Sequence, residues 1–160
     1  MKRITLISIS IALAATLLAG CMSADESDAL VAINADRAAG GLGGLGEHAV
    51  LVTKAQNWAR HLADASGGQC SMATLVHSVP QDGAPAGWRA LGENIGCRIA
   101  PGDVRSFVGP LQVAFMGSTH HRENIMNGSF NAGGVGLATA PAAVGHGWLV
   151  VYEAQEFARL

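Results

Sequence analysis

Helical spacing and strand-like spacing fall in largely different parts of this chain, and that separation limits its fold more than any other feature. Residues 47–65 place Leu51, Ala55, Trp58, Ala59 and Leu62 at the i, i+4, i+7, i+8 and i+11 positions of one helical face. Residues 28–39 read as a shorter helix with Leu30, Ile33 and Arg37 on one side and Asn34 beside them, broken by Gly40-Gly41 and Gly43-Gly44. Residues 103–117 repeat the helical pattern through Val104, Phe107, Val108, Leu111 and Phe115. Pro110 lacks an N–H and suits the first position of a helix, so the sequence predicts a short turn followed by a second helix starting near it. Strand signals lie at residues 91–99 around Asn94, at 134–139 and at 148–153, with 141–147 joining the last two as a hairpin. Residues 69–89 carry Pro80, Asp82-Gly83 and Pro85 and read as loop. Helices first and strands later predict an α+β sandwich.

The chain opens with Lys2-Arg3 and then a run of apolar and small residues over 4–18, the charged and hydrophobic regions of a secretory signal. The run is shorter than the roughly 18 continuous apolar residues of a spanning helix. It ends in Leu18-Ala19-Gly20-Cys21, which resembles the bacterial lipobox: small residues admit the peptidase, and the Cys21 thiol is the nucleophile that receives the lipid. An ordinary secretory signal with an incidental cysteine is the alternative. The lipobox reading predicts a signal peptide over residues 1–20, a lipidated tether over 21–27 and one domain over 28–160. Its partner is then the lipid bilayer, reached through acylated Cys21, and its place is the extracytoplasmic side of the cell envelope.

A composition of 49% hydrophobic and 14% charged residues excludes general disorder. Ten Lys+Arg against twelve Asp+Glu leave no basic excess, so nucleic acid is not an expected partner. Of three cysteines, Cys70 and Cys97 remain once Cys21 is lipidated, and outside the cytosol such a pair is expected to bridge. A cysteine metal site is the other reading, weakened by having two thiols at wide spacing.

Six histidines are present, and His48, His61 and His146 read as surface or boundary residues. His77-Ser78 is followed by Gly92-Glu93-Asn94-Ile95, by Ser118-Thr119-His120-His121-Arg122-Glu123-Asn124-Ile125-Met126, and by Gly134-Val135-Gly136. Spacing alone gives no metal signature of the HExxH kind.

With Asn34-x-x-Arg37 and Gly41-Leu42 before it, Trp58-Ala59-x-x-Leu62-Ala63, and a final strand with Trp148, this ordered set resembles the CAP or SCP-like family over residues 30–153. The resemblance implies a three-layer α-β-α sandwich with a central, mostly antiparallel sheet. It implies that His77, Glu93 and His121 converge on one open cleft able to hold a divalent metal, Zn²⁺, with positions left for water. His121 is favoured over His120 because it directly precedes Arg122-x-Asn124-Ile125. The stretch Phe115-Met116-Gly117-Ser118 offers no carboxylate where many members bring a second acidic residue, so a four-residue tetrad is not expected. Ser78, Asn94, Arg122 and Asn124 read as scaffold residues that tie loops down, and a Cys70–Cys97 bridge would join the two cleft-forming segments. Trp58 and Trp148 read as core residues, Trp88 as an aromatic over the cleft.

Three functions follow from this reading. The first is a non-enzymatic module that binds a small apolar ligand or an envelope protein. The second is a metal-dependent hydrolase of peptide or cell-wall bonds, with Glu93 as general base. The third is a purely adhesive surface module. A serine hydrolase is disfavoured because Gly117-Ser118 lacks the Gly-x-Ser-x-Gly pattern, and a nucleotide enzyme because Gly40 to Gly46 lacks Gly-Lys-Ser/Thr.

Overall fold

The structure is a computed structural model that describes residues 20–160. The expected leader, save Gly20, lies outside the described residues. The elements run α1 (Ala24–Ala39), β1 (Gly46–Glu47), α2 (Ala49–Ala65), β2 (Ala90–Ala100), α3 (Arg105–Gly117), α4 (Thr119–Ile125), β3 (Ala132–Pro141) and β4 (Leu149–Arg159). The sheet has the order β1-β3-β4-β2, with β1 parallel to β3 and the other pairs antiparallel. Among the described residues no helix is long and apolar enough to cross a membrane.

Strand side chains alternate between faces, so β4 sorts its residues into two layers. Val150, Tyr152 and Ala154 join Ala55, Ala59, Leu62 and Ile95 beneath α2. Val151 and Phe157 join Leu30, Ile33, Phe107, Leu111, Phe115 and Ile125 beneath α1, α3 and α4. These are the three layers of an α-β-α sandwich with a mostly antiparallel sheet. The α2 layer lies directly on the β3 backbone: a Cβ at Gly136 would stand 2.2 Å from the Ala55 carbonyl carbon, and one at Gly134 2.3 Å from the Val52 nitrogen.

Three local expectations need correction. Residues 24–27, read as tether, form the first turn of α1. Ser23 caps it by accepting from the Glu26 N–H (3.3 Å) while its own N–H donates to Glu26 Oε2 (2.7 Å). Glu26 is buried and also accepts from the Leu137 N–H and from Gln56 Nε2, which ties the turn to β3 and α2. Helix α3 runs unbroken through Pro110. The proline is exposed, and Gly109 before it has no Cβ to clash with the ring. Strand β4 continues to Arg159, past the expected end at 153, because residues 150–158 are buried on both faces and show no apolar–polar alternation.

The Cys70–Cys97 disulfide forms, with Cα atoms 5.6 Å apart. It pins the long connection after α2 to the edge strand β2. Trp148, expected in the core, is instead 39% exposed at the start of β4, outside the apolar layers.

Candidate functional site

The cleft opens where the connection between α2 and β2 folds back over the edge of the sheet. The disulfide holds one part of that connection. Trp58 on α2 holds another by donating its Nε1 N–H to the Val76 carbonyl (3.0 Å). His77 and Ser78 follow directly. From β2, Glu93 points to the α2 side, as its neighbour Ile95 does.

His77 Nδ1 and Glu93 Oε1 lie 2.6 Å apart, and the Ser78 N–H donates to the same oxygen at 3.0 Å. Directly opposite Glu93 in the ladder stands Glu156 of β4. Two carboxylates facing one another on a buried surface would repel, and Lys54 of α2 compensates them. Its ammonium donates to Glu156 Oε1 (2.5 Å) and to Ser78 Oγ (2.7 Å), and lies 3.8 Å from Glu93 Oε2. His77, Ser78, Pro80, Leu91, Gly92, Glu93 and Glu156 line a cavity of about 230 Å³.

The ionisation of the pair is asymmetric. Burial raises the Glu156 carboxyl, and the Glu93 charge adds to it against the pull of Lys54, leaving a pKa of about 8. Burial also pushes Glu93 up. Hydrogen bonds from the Ser78 hydroxyl, Glu156, His77 and the Ser78 N–H outweigh it, so Glu93 lies below the ordinary carboxylate value. At neutral pH Glu93 is therefore the ionised member of the pair and Glu156 the protonated one.

His121 comes from α4, on the other side of the sheet. Its ring meets Phe115 edge-on, with centroids 5.0 Å apart. Burial lowers its pKa, and charge on His77 and His120 lowers it further. It does not line the cavity at Glu93. His120 is exposed and pairs with Glu123 at 3.5 Å.

The donor set does not fit a resident three-ligand metal. Among the described residues, no three His, Cys, Asp or Glu side chains are grouped to share an ion. Glu93 Oε1 is already engaged, Oε2 is buried beside the Lys54 ammonium, and His121 does not line the cavity that His77 shares with Glu93.

The scaffold is clearer. Asn94 Nδ2 donates to the His121 carbonyl (3.1 Å) and to Gln155 Oε1 (3.0 Å). Asn124 Nδ2 donates to Asn94 Oδ1 (2.9 Å) and the Glu93 carbonyl (3.1 Å). These bonds join α4 to β2 and set the height of His121 over the sheet edge. Arg122, expected to share this role, is exposed and its side chain makes no hydrogen bond or ion pair among the described residues. The tying arginine is Arg37, fully buried, which donates to the carbonyls of Gly43, Ile125, Asn127 and Phe130. Trp88 is exposed and does not line the Glu93 cavity.

Sequence reading missed Lys54 and Glu156. Lys54 carried a signal: it sits beside Leu51, Ala55 and Trp58 at the border of an apolar face, where an ammonium needs a carboxylate. Glu156 lies beyond the expected end of β4.

A three-layer sandwich with a His–Glu cleft at its edge strand defines the class. The cysteine-rich secretory protein family model matches residues 30–152, and the chain belongs to that family. Its fold is similar to three solved bacterial structures. An extracellular protein containing an SCP domain from Bacillus anthracis is 21% identical with a TM-score of 0.61, the match covering 85% of this chain and 40% of that one. An outer surface protein from Borrelia burgdorferi is 14% identical with a TM-score of 0.58, covering 84% and 92%. A cysteine-rich secretory protein from Staphylococcus aureus is 18% identical with a TM-score of 0.54, covering 85% and 38%. This chain thus spans well under half the length of the Bacillus and Staphylococcus proteins. No curated protein matches it.

Proposed function

We propose that this chain is a non-enzymatic, extracytoplasmic binding module, anchored to the envelope by lipid at Cys21, that takes its ligand in the cleft at His77 and Ser78. One observation carries the reading: the cleft's ammonium and carboxylate are held by one another and by the Ser78 loop, and His77 is left with its Nε2 alone to meet a ligand. Lys54 is held as an ammonium by Glu156 and Glu93, so it is no base for Ser78. Glu93 Oε1 accepts from two donors, and Oε2, which has no hydrogen-bond partner among the described residues, is buried 3.8 Å from the Lys54 ammonium, so a cation rather than an open approach for water faces it. A rigid, satisfied surface is what a binding site needs. The exposed Cys21 and the extracellular or surface placement of the structural relatives support the location.

The test is a thermal-shift screen of the mature protein against fatty acids, peptides and saccharides, beside His77→Ala and Ser78→Ala. A ligand at 100 times its Kd stabilises by about 2.7 kcal/mol, a shift of several degrees. Loss of that shift in the variants supports the reading. Hydrolysis of a peptide or cell-wall substrate that disappears in Glu93→Gln overturns it. Mass spectrometry of the N-terminal peptide reads the lipid directly.

A further inference from the structure

A second, larger cavity of about 390 Å³ runs on from His77 and Ser78 along α2. Its size is in the range of about 300–1,000 Å³ found for small-molecule sites. One wall is α2, with Trp58 and His61 stacked at 4.5 Å and 23°. The other is the loop bearing Val79, Asp82 and Gly83. Both walls are fixed before any ligand arrives: Trp58 by its bond to Val76, the loop by the Lys54–Ser78 bond and by the Glu93 carboxylate on the Ser78 N–H.

The polar groups facing this cavity are of mixed kind and nearly free of net charge. Lys54 is spent on Glu156 and Glu93, while His77 gives its Nδ1 to Glu93 and keeps its Nε2 for the cavity. Asp82 remains as an exposed acceptor, and it disfavours an anionic ligand. Asn57 uses its Oδ1 on Arg60 and keeps its amide N–H groups to donate. A ring nitrogen of His61 adds a further polar group beside an apolar surface. Adjacent donors and acceptors beside an aromatic pair suit hydroxyl groups, which both donate and accept, on a ring that has an apolar face.

We propose that this groove binds a neutral saccharide, one pyranose ring lying against Trp58 and His61 with its hydroxyl or acetamido groups on Asp82 and Asn57. The inference rests on the cleft being a ligand site and names the ligand class. The test is titration of the mature protein by calorimetry with N-acetylglucosamine, with its β-1,4-linked trimer, and by co-sedimentation with purified murein sacculi. Saturable binding that Asp82→Asn weakens by about tenfold, the scale of one charged hydrogen bond, supports the proposal. Asp82 is exposed, so that variant folds, and Trp58→Phe keeps a ring and is expected to retain part of the affinity. Equal binding of monomer and trimer makes the chain a free-sugar receptor. Preference for trimer and sacculi makes it a glycan-strand binder. Absence of saccharide binding, or binding indifferent to both substitutions, overturns the proposal. Fatty-acid or peptide binding lost in His77→Ala would at the same time leave the cleft's role as a binding site standing.

Discussion

Glu153 and Glu156 lie three residues apart on β4, both buried, and they face opposite layers of the sandwich. Glu156 looks towards α2 and meets an ammonium there. Glu153 looks towards α1 and α3, where its Oε1 accepts from Gln155 Nε2 at 2.8 Å and its Oε2 has no partner. Gln155 passes the bonding on to Gln112, and Gln112 to Asp36 at the surface. One face thus sets an ammonium against two carboxyls, and the other buries an amide ladder ending in an acid with one oxygen unpartnered among the described residues. The difference teaches how this fold separates tasks: the α2 flank sets charge against charge beside a cleft, while the opposite flank joins its helices through amide side chains and one buried guanidinium bound to carbonyls.

The two faces also differ in how closely they pack, and that difference gives the largest expected effect. On the α2 side the glycines of β3 meet helix backbone, which cannot move aside. Gly136→Val should prevent cooperative folding, read as loss of a thermal transition by circular dichroism. Lys54→Met should cost about 3–5 kcal/mol, because it strands two buried carboxyls. Adding Glu156→Gln to it should recover a large part of that loss in urea unfolding. Full loss retained in the double variant would mean that Lys54 acts by packing alone.

Removal of the disulfide, as Cys70→Ala with Cys97→Ala, should cost about 3.5 kcal/mol on the loop-entropy scale for its sequence separation of 27. It should also weaken any cleft ligand, since the His77 loop loses its pin. Glu153 supplies a pH test. Burial raises its pKa from 4.5 to about 7, opposed by the bond from Gln155. The folded state therefore holds a proton that the unfolded state has released, and stability falls from pH 4.5 to about 7 and then levels off. Glu153→Gln should remove that decline, a gain of about 3 kcal/mol at pH 8 that vanishes at pH 4. Glu156, raised to about 8, adds the same sign over a window from 4.5 to that pH, while Glu93, whose pKa is depressed, acts in the opposite direction and only below 4.5. The smallest effect belongs to Arg122→Ala, expected within about 0.5 kcal/mol because its side chain is exposed and unbonded.

Much of this architecture is legible in the residues. The α2 face follows from the periodicity of Leu51 to Leu62, and the cysteine pair from compartment and count. His77, Glu93 and His121 are named by motif, and His77 Nδ1 lies 2.6 Å from Glu93 Oε1 while His121 does not line their cavity. What stayed hidden is long-range. Lys54 finds its carboxylates 39 and 102 residues away, and only the register of β2 against β4 brings those two together. Arg37 stands in a readable motif, but its four carbonyl partners belong to turns that no local pattern announces. The buried run of β4 hid its own length, since a strand covered on both faces loses the alternation that would mark it.

Internal charge balance in the cleft is read most directly by carboxyl carbon-13 NMR of the glutamates across pH 3–10. A cleft balanced by Lys54 and one proton gives a Glu156 midpoint near 8 and a Glu93 midpoint below the ordinary carboxylate value. Ordinary midpoints near 4.5 for both would contradict it, and would return Glu93 to the groups free to bind an ion or take a proton from water.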